Sequence, residues 1–309
     1  MSLRRSVPWW ARIAAKLVLA RLPASYGFWH RLDLFSHGAM DDPDYAHRVF
    51  RSHFDRSPFA RKGGGYVGLE LGPGDSVMSA VVARACGAAA WHLVDAGAYA
   101  TPDPGPYRHM AARLRARGLP APDLEAEADL RAVLAACNAT YGTAGLASLR
   151  ALPTASVDFV WSQAVLEHVR RAEFLDTMRE LHRVLRPDGV ASHRIDLKDH
   201  LGGGLSNLRL SDALWERDWM GARSGFYTNR IRFSEMCALF KQAGFAVEVL
   251  AVHRWDALPL DRAAMAAPYR DLADDELRVR EFDVLLRSQP GQQAPSMAQD
   301  VNRVRGVGS

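Results

Sequence analysis

The run Glu70-Leu71-Gly72-Pro73-Gly74 holds the residue types whose spacing most directly points to chemistry. Tyr66 to Leu71 reads as a short apolar strand, the glycines as a tight turn, and Val77 to Val82 as the opening of a helix. Without Cβ atoms at Gly72 and Gly74, the chain can turn sharply and let a ligand rest on bare backbone at a helix N-terminus. Twenty-one residues beyond Gly74, after a second apolar run from Ala90 to Val94, stands Asp95. That is the interval at which the second strand of a nucleotide-binding unit offers a carboxylate to ribose hydroxyls. Glu70 places another carboxylate at the end of the first strand. Val77 stands where the last glycine of G-x-G-x-x-G belongs, which weighs against a nicotinamide-dependent oxidoreductase.

These groups need a scaffold, and the rest of the chain alternates accordingly. Strands are expected near Thr140, from Asp158 to Ser162, from Val190 to Leu197, from Ala246 to His253 and from Glu281 to Leu286. Helices are expected around Tyr107 to Arg117, over 124–137, from Glu173 to Leu185 (ended by Pro187-Asp188-Gly189) and from Phe233 to Ala243. Such alternation specifies an α/β fold, a doubly wound parallel sheet. In such sheets ligands lie outside the C-terminal strand ends, so Glu70–Gly74, Asp95, Ser162–Gln163 and Asp196–His200 converge on one site. His193 and Asp196 alternate to opposite faces of their strand and cannot share an ion, so no metal is expected there.

Four stretches together carry a family resemblance. Glu70-Leu-Gly-Pro-Gly resembles the first motif of class I S-adenosylmethionine-dependent methyltransferases, and Asp95 their ribose-binding acid. The runs Asp158-Phe-Val-Trp-Ser-Gln-Ala-Val-Leu-Glu-His-Val169 and Leu181-His-Arg-Val-Leu-Arg-Pro-Asp-Gly-Val190 resemble later motifs of the type 11, small-molecule branch. The resemblance spans about residues 66 to 288. It implies a Rossmann-like, seven-stranded, mostly parallel sheet with an antiparallel terminal pair, and S-adenosyl-L-methionine as cofactor. It further implies that Gly72, Pro73 and Gly74 back the methionine part, that Asp95 holds the ribose, and that Ser162 and Gln163 flank the sulfonium methyl. A third motif glycine is replaced by Ser76. The acidic residue the family often places beside adenine is Ala144 here, leaving adenine to apolar and backbone contacts around Gly145 and Leu146. His168 is the first candidate for a general base and His200 the second, with helix capping by Glu167 and His168 as the alternative role.

The remaining features bound the class. With 309 residues and 48% hydrophobic content, the chain can build one large core with additions. A net charge of +4 is too small to argue for nucleic acid, and no Asn/Asp-Pro-Pro-Tyr tetrapeptide is present. Cys86, Cys137 and Cys237 are dispersed, which fits inert thiols in a reducing, cytoplasmic setting. Residues 8–22 read as a basic amphipathic helix with Trp10, Ile13, Ala14, Leu17 and Val18 on one face. It either packs on the main domain or a second copy, or makes a peripheral contact with an anionic membrane surface. Residues 1–62 thus form an N-terminal helical extension, including a lid from about Tyr45 to Phe54, and 63–288 the catalytic domain. An insert at about 198–232 carries Trp215, Trp219, Tyr227, Asn229, Arg230 and Arg232, suited either to acceptor recognition or to a small core of its own. The polar tail, 289–309, reads as disordered. The expected activity is methyl transfer to a small-molecule or glycan-type acceptor, at oxygen. The alternative is an inactive methyltransferase-fold scaffold.

Overall fold

The structure is a computed structural model that describes residues 8–19, 40–221 and 225–289. Phe28-Trp29-His30, Phe35 to Gly38, the last three residues of the 8–22 stretch and nearly all of the C-terminal tail lie outside the described residues. Seven strands form one sheet: β1 (Tyr66–Leu71), β2 (Ala88–Val94), β3 (Ala139–Gly142), β4 (Val157–Gln163), β5 (Leu185–Asp196), β6 (Phe245–Arg254) and β7 (Val279–Ser288). Their order is β3-β2-β1-β4-β5-β7-β6, and β7 runs antiparallel to both of its neighbours. The order reverses between β1 and β4, which opens the crevice for a ligand at the C-terminal strand ends.

The helices are α1 (Trp9–Leu19), α2 (Pro43–Phe54), α3 (Met78–Ala85), α4 (Gly105–Ala116), α5 (Leu130–Ala136), α6 (Leu146–Arg150), α7 (Arg171–Val184) and α8 (Phe233–Gln242). One sheet face packs on α2 to α5. The other packs on α7 and α8 through Phe174, Met178, Leu181, Met236 and Phe240. Burial on both faces is why β1 and β4 read as nearly continuous apolar runs.

α2 is integral to this core. Asp42 caps it by accepting a hydrogen bond from the Tyr45 amide at 2.8 Å, and Pro43 opens its first turn. Its Phe50 lies 5.7 Å from Trp91 and 6.2 Å from Trp161, ring centre to ring centre. Gly68 on β1 makes room for Trp91, because a Cβ there would come within 2.0 Å of that ring. The helix is therefore fused to the sheet face.

Local features depart from the sequence expectations in three places. The helix expected over 124–137 begins only at Leu130, where Asp129 caps it by accepting from the Ala132 amide at 2.8 Å. Pro187-Asp188-Gly189 lies inside β5 as a bulge, since Val157 pairs with Leu185 but Phe159 with Val190. On α1 the buried residue is Ile13, flanked by Trp9 and Leu17, whereas Trp10 and Val18 are 60% and 62% exposed.

The insert between β5 and α8 builds its own small cores. Ile13 of α1 joins Leu201, Trp215, Met220, Phe226 and Tyr227, and a second group gathers Leu205, Leu208, Met265, Tyr269 and Leu277. Arg230 is buried between the rings of Trp215 and Tyr269, 5.0 and 5.2 Å from their centres, and donates to the carbonyls of Asn207 and Leu210. Arg232, also buried, donates to the carbonyls of Leu197, Leu277 and Val279. The aromatic and Arg side chains of the insert are thus consumed in holding it together. Arg217 and Trp219, among the described residues of the insert, remain exposed.

Candidate active site at the strand ends

The glycine loop closes the end of β1. Gly72 and Gly74 take φ values of +71° and +65°, a region that side-chain-bearing residues rarely adopt. The Gly72 amide donates to the Val94 carbonyl at 2.8 Å, so the loop is pinned to β2. Asp95 then ties three strand ends together. Its Oδ2 accepts from the Gly74 amide at 2.9 Å and its Oδ1 from the Ala96 amide at 2.7 Å. Its carbonyl accepts from the Gly145 amide at 2.8 Å. The Tyr141 hydroxyl, accepting from the Tyr99 amide and donating to the Gly97 carbonyl at 3.1 Å each, shapes the loop that follows.

Glu70 sits behind this loop. Its carboxylate is buried and accepts a hydrogen bond from the Ser79 hydroxyl of α3. Burial pushes its carboxyl up to about 8, the Asp95 charge adding to the shift and the Ser79 hydroxyl opposing it. Glu70 therefore fastens β1 to α3 beneath the loop. Pro73 is likewise buried. Half-buried Asp95, Gly145 and Leu146, with Gly72, form the partly exposed part of the loop cluster, whereas Gly74 is buried.

The ends of β4 and β5 hold two polar pairs on opposite faces. Ser162 is fully buried with its Oγ 2.7 Å from His193 Nδ1, on the α7–α8 face. Its hydroxyl is therefore enclosed within this face of the sheet. Gln163, its neighbour, points the other way. Its Oε1 is 3.0 Å from Nε2 of His53, whose Nδ1 lies 2.8 Å from Ser192 Oγ. Burial holds His53 down to about 4 and His193 to about 3, so both rings are neutral at pH 7. His53 was not singled out by sequence reading. Its one signal was its position on the apolar face of α2, where a polar ring requires a partner.

Gln163 also lines a cavity of about 480 Å³ between α2 and the ends of β4, β5 and β7. The other polar walls are Tyr45, Arg48 and Ser52 of α2, Arg194 and Asp196 of β5, and Glu281 of β7. Arg194 pairs with Glu281 at 2.9 Å, and Lys198 bridges Asp196 and Glu281 at 3.1 and 3.3 Å.

The two histidines chosen as candidate bases come together. His168, in the short helical turn Leu166–His168 after β4, and His200, in the loop after β5, have ring centres 4.8 Å apart. His168 Nδ1 lies 2.8 Å from the Tyr227 carbonyl oxygen, which can only accept. Nδ1 therefore carries a proton, and in the neutral tautomer consistent with this bond the lone pair is on Nε2. Between them in the fold sits Glu167, buried at 1% exposure, whose carboxyl burial raises well above the usual range. The turn is clamped by Asn229, whose side-chain amide donates to the carbonyls of Leu166 and Val169 at 2.8 and 3.0 Å.

Fold and site together define a doubly wound sheet with a crevice at the β1/β4 switch point, where such sheets bind ligands. Residues 105–192 match the Methyltransferase domain family Methyltransf_11, a match that supports the class of S-adenosylmethionine-dependent methyltransferases. Among solved structures, it is similar to an S-adenosylmethionine-dependent methyltransferase from Mesorhizobium loti at 19% identity, covering 80% of this chain and 100% of that one, with a TM-score of 0.43. It is similar also to the YcgJ protein of Bacillus subtilis, at 16% identity over 79% of this chain and 99% of that one, TM-score 0.42. A third is a Haemonchus contortus phosphoethanolamine N-methyltransferase, at 14% identity over 79% of this chain and 53% of that one, TM-score 0.43. No curated protein sequence matches the chain.

The residues present fit S-adenosylmethionine, the cofactor of this class. The positive-φ glycines offer a backbone surface, Asp95 a half-buried carboxylate for the ribose, and Gly145–Leu146 a partly apolar shelf at the end of β3. Among the described residues no helix is long and apolar enough to cross a membrane.

Proposed function

We propose that this methyltransferase acts on a small, hydroxyl-bearing acceptor of glycan type and methylates it at oxygen. The observation that carries this reading is the polar cavity of about 480 Å³ that Gln163 shares with α2 and β5. Its guanidinium and carboxylate groups suit an acceptor rich in hydroxyls, which can both donate and accept. The cofactor supplies an activated methyl group on a sulfonium, so the protein's main work is alignment, which can remove roughly 7–11 kcal/mol of barrier.

An alcohol nucleophile must also lose its proton. The reading assigns this to the pair beside the Glu167 turn, with Nε2 of His168 the first candidate acceptor and His200 the second. The surroundings are read as cytoplasmic, consistent with the unpaired thiols of Cys86, Cys137 and Cys237.

The test is transfer of a labelled methyl group from S-adenosylmethionine to a panel of sugar, phenol, carboxylate and amine acceptors. Oxygen methylation of hydroxylated acceptors, lowered by Arg48→Ala in the cavity wall, is the expected result. Exclusive methylation of amines overturns the reading.

A further inference from the structure

The turn after β4 and the loop after β5 place Glu167, His168 and His200 so that one ligand atom from each lies within 4.8 Å of the others. Neither oxygen of the Glu167 carboxylate accepts a well-formed hydrogen bond among the described residues, although the backbone amides of Glu167 and Asp196 lie near enough to favour its charged form, and Nε2 of His200 has no partner there. Buried polar groups are rarely left so, because desolvation without a partner is costly. Here two of them belong to one cluster of ligand atoms, all within 4.8 Å of one another and not hydrogen-bonded to each other. One ion at about 2.0–2.2 Å from each donor bridges such a cluster after a small inward shift.

The supports have the form of a metal site's outer layer. His168 donates its Nδ1 proton to the Tyr227 carbonyl, which fixes the ring and leaves Nε2 as the ligating nitrogen. The Glu167 carbonyl accepts from the Asn229 amide at 2.7 Å, holding the turn. The His200 carbonyl accepts from Lys16 of α1 at 3.0 Å, and Asp199 next to it accepts from the amides of Leu201 and Gly203. His193 and Asp196 do lie on opposite faces of β5. This cluster is a different set of residues.

We propose that Glu167, His168 and His200 form a two-histidine, one-carboxylate site for a divalent transition-metal ion. Imidazole and carboxylate donors in this number select ions of the Zn2+, Mn2+ and Fe2+ kind over Mg2+ and Ca2+, and leave coordination positions open. This deepens the reading of an oxygen acceptor and rests on it for its chemical role. An acceptor hydroxyl entering an open position loses its proton more easily, and the histidines then serve as ligands where the metal-free site uses them as bases.

The experiment is titration of the full chain, stripped with chelator, by CoCl2, followed by its visible ligand-field bands, with ZnCl2 as competitor and MgCl2 as comparison. The expected result is one Co2+ per chain, displaced by Zn2+ and unaffected by Mg2+. Glu167→Gln and His168→Gln should each weaken binding by about 100-fold or more, beyond the 10–100-fold typical of outer-layer changes. His92→Gln, at the distant β2–β3 pair, should bind as the parent does. Exposed His168 provides the variant that folds if Glu167→Gln does not. Absence of Co2+ bands in the parent, or equal binding by all variants, overturns the site. Since the readout is the ion alone, transfer to amines in place of hydroxyls would fail the acceptor reading and leave this result standing.

Discussion

His53 on α2 donates through Nε2 to the amide oxygen of Gln163 on β4, 3.0 Å away, and accepts from the Ser192 hydroxyl at Nδ1. The direction follows because the amide oxygen can only accept. A side chain of α2 therefore sets the orientation of the β4 residue that lines the polar cavity proposed for the acceptor. Replacing His53 with Phe keeps the packing on Trp161 but leaves Gln163 and Ser192 short of a partner. A loss of about 1–3 kcal/mol in urea unfolding is expected. In methyl transfer the acceptor KM should rise more than the cofactor Kd. An unchanged acceptor KM would show that Gln163 needs no such holder.

The same ring gives the fold an acid-sensitive component. Its protonation point is lowered from 6.5 to about 4, so the folded state disfavours the charged form. Its contribution is complete above pH 6.5 and is lost as the pH falls from 6.5 toward 4. At pH 5 the loss amounts to about 2 kcal/mol relative to pH 7. Glu70 acts in the opposite sense, since its raised carboxyl is relieved on acidification. The difference between the parent and His53→Phe isolates the effect. The stability gap between them should shrink by about that amount from pH 7 to pH 5 in denaturant titrations.

Asp95 is the residue the proposed reading assigns to the cofactor ribose. Its carboxylate holds the Gly74 and Ala96 amides and remains half-buried, placed for two ribose hydroxyls. Hydrogen bonds to an ionised acceptor contribute about 1.5–3 kcal/mol. Asp95→Ala should therefore weaken S-adenosylmethionine binding by about 10–100-fold in calorimetric titration. Unaltered affinity would place the ribose elsewhere.

Gly72 is constrained twice, by φ of +71° and by Val165, whose methyl carbons would lie 2.5 Å from an added Cβ. Gly72→Ala should cost at least the ~1–2 kcal/mol of the left-handed region and also lower cofactor affinity. Adding Val165→Ala removes the collision but not the backbone strain. The double variant should regain part of the lost thermal stability, and full recovery would show that φ at this position can change freely.

Arg232 should behave as part of the insert's frame. Burial lowers its protonation point to about 10, which still leaves it charged at pH 7. Arg232→Leu strands the carbonyls of Leu197, Leu277 and Val279, with an expected loss of about 3 kcal/mol or more. Cofactor Kd in the folded protein should be unchanged. A change in acceptor KM at undiminished stability would instead make it a recognition residue.

The glycine loop, Asp95 and the alternation of strands with helices were legible because each rests on neighbours in sequence. A positive-φ turn needs glycine where it stands, and a doubly buried strand shows its apolar run in six or seven residues. Ser162 and Gln163 were chosen together by that local logic. The pleat separates them, sending one to His193 and the other to His53. The Arg and aromatic content of the insert marked it as noteworthy without saying whether those side chains faced outward or inward.

What the sequence determined by itself is the class of fold, the positive-φ glycine loop after β1 and the acid that follows β2. These follow from backbone conformation and from the period of hydrophobic residues, both short-range properties. Only the tertiary structure decided that α2 belongs to the site, that Glu70 lies behind the loop, and that Glu167, His168 and His200 form one cluster. His53 and Ser192 are 139 positions apart, and His168 and Tyr227 are 59 apart. Contacts across such distances arise when the sheet and its flanking helices bury their apolar faces together. No local pattern along the chain records which polar side chains that burial will leave facing one another.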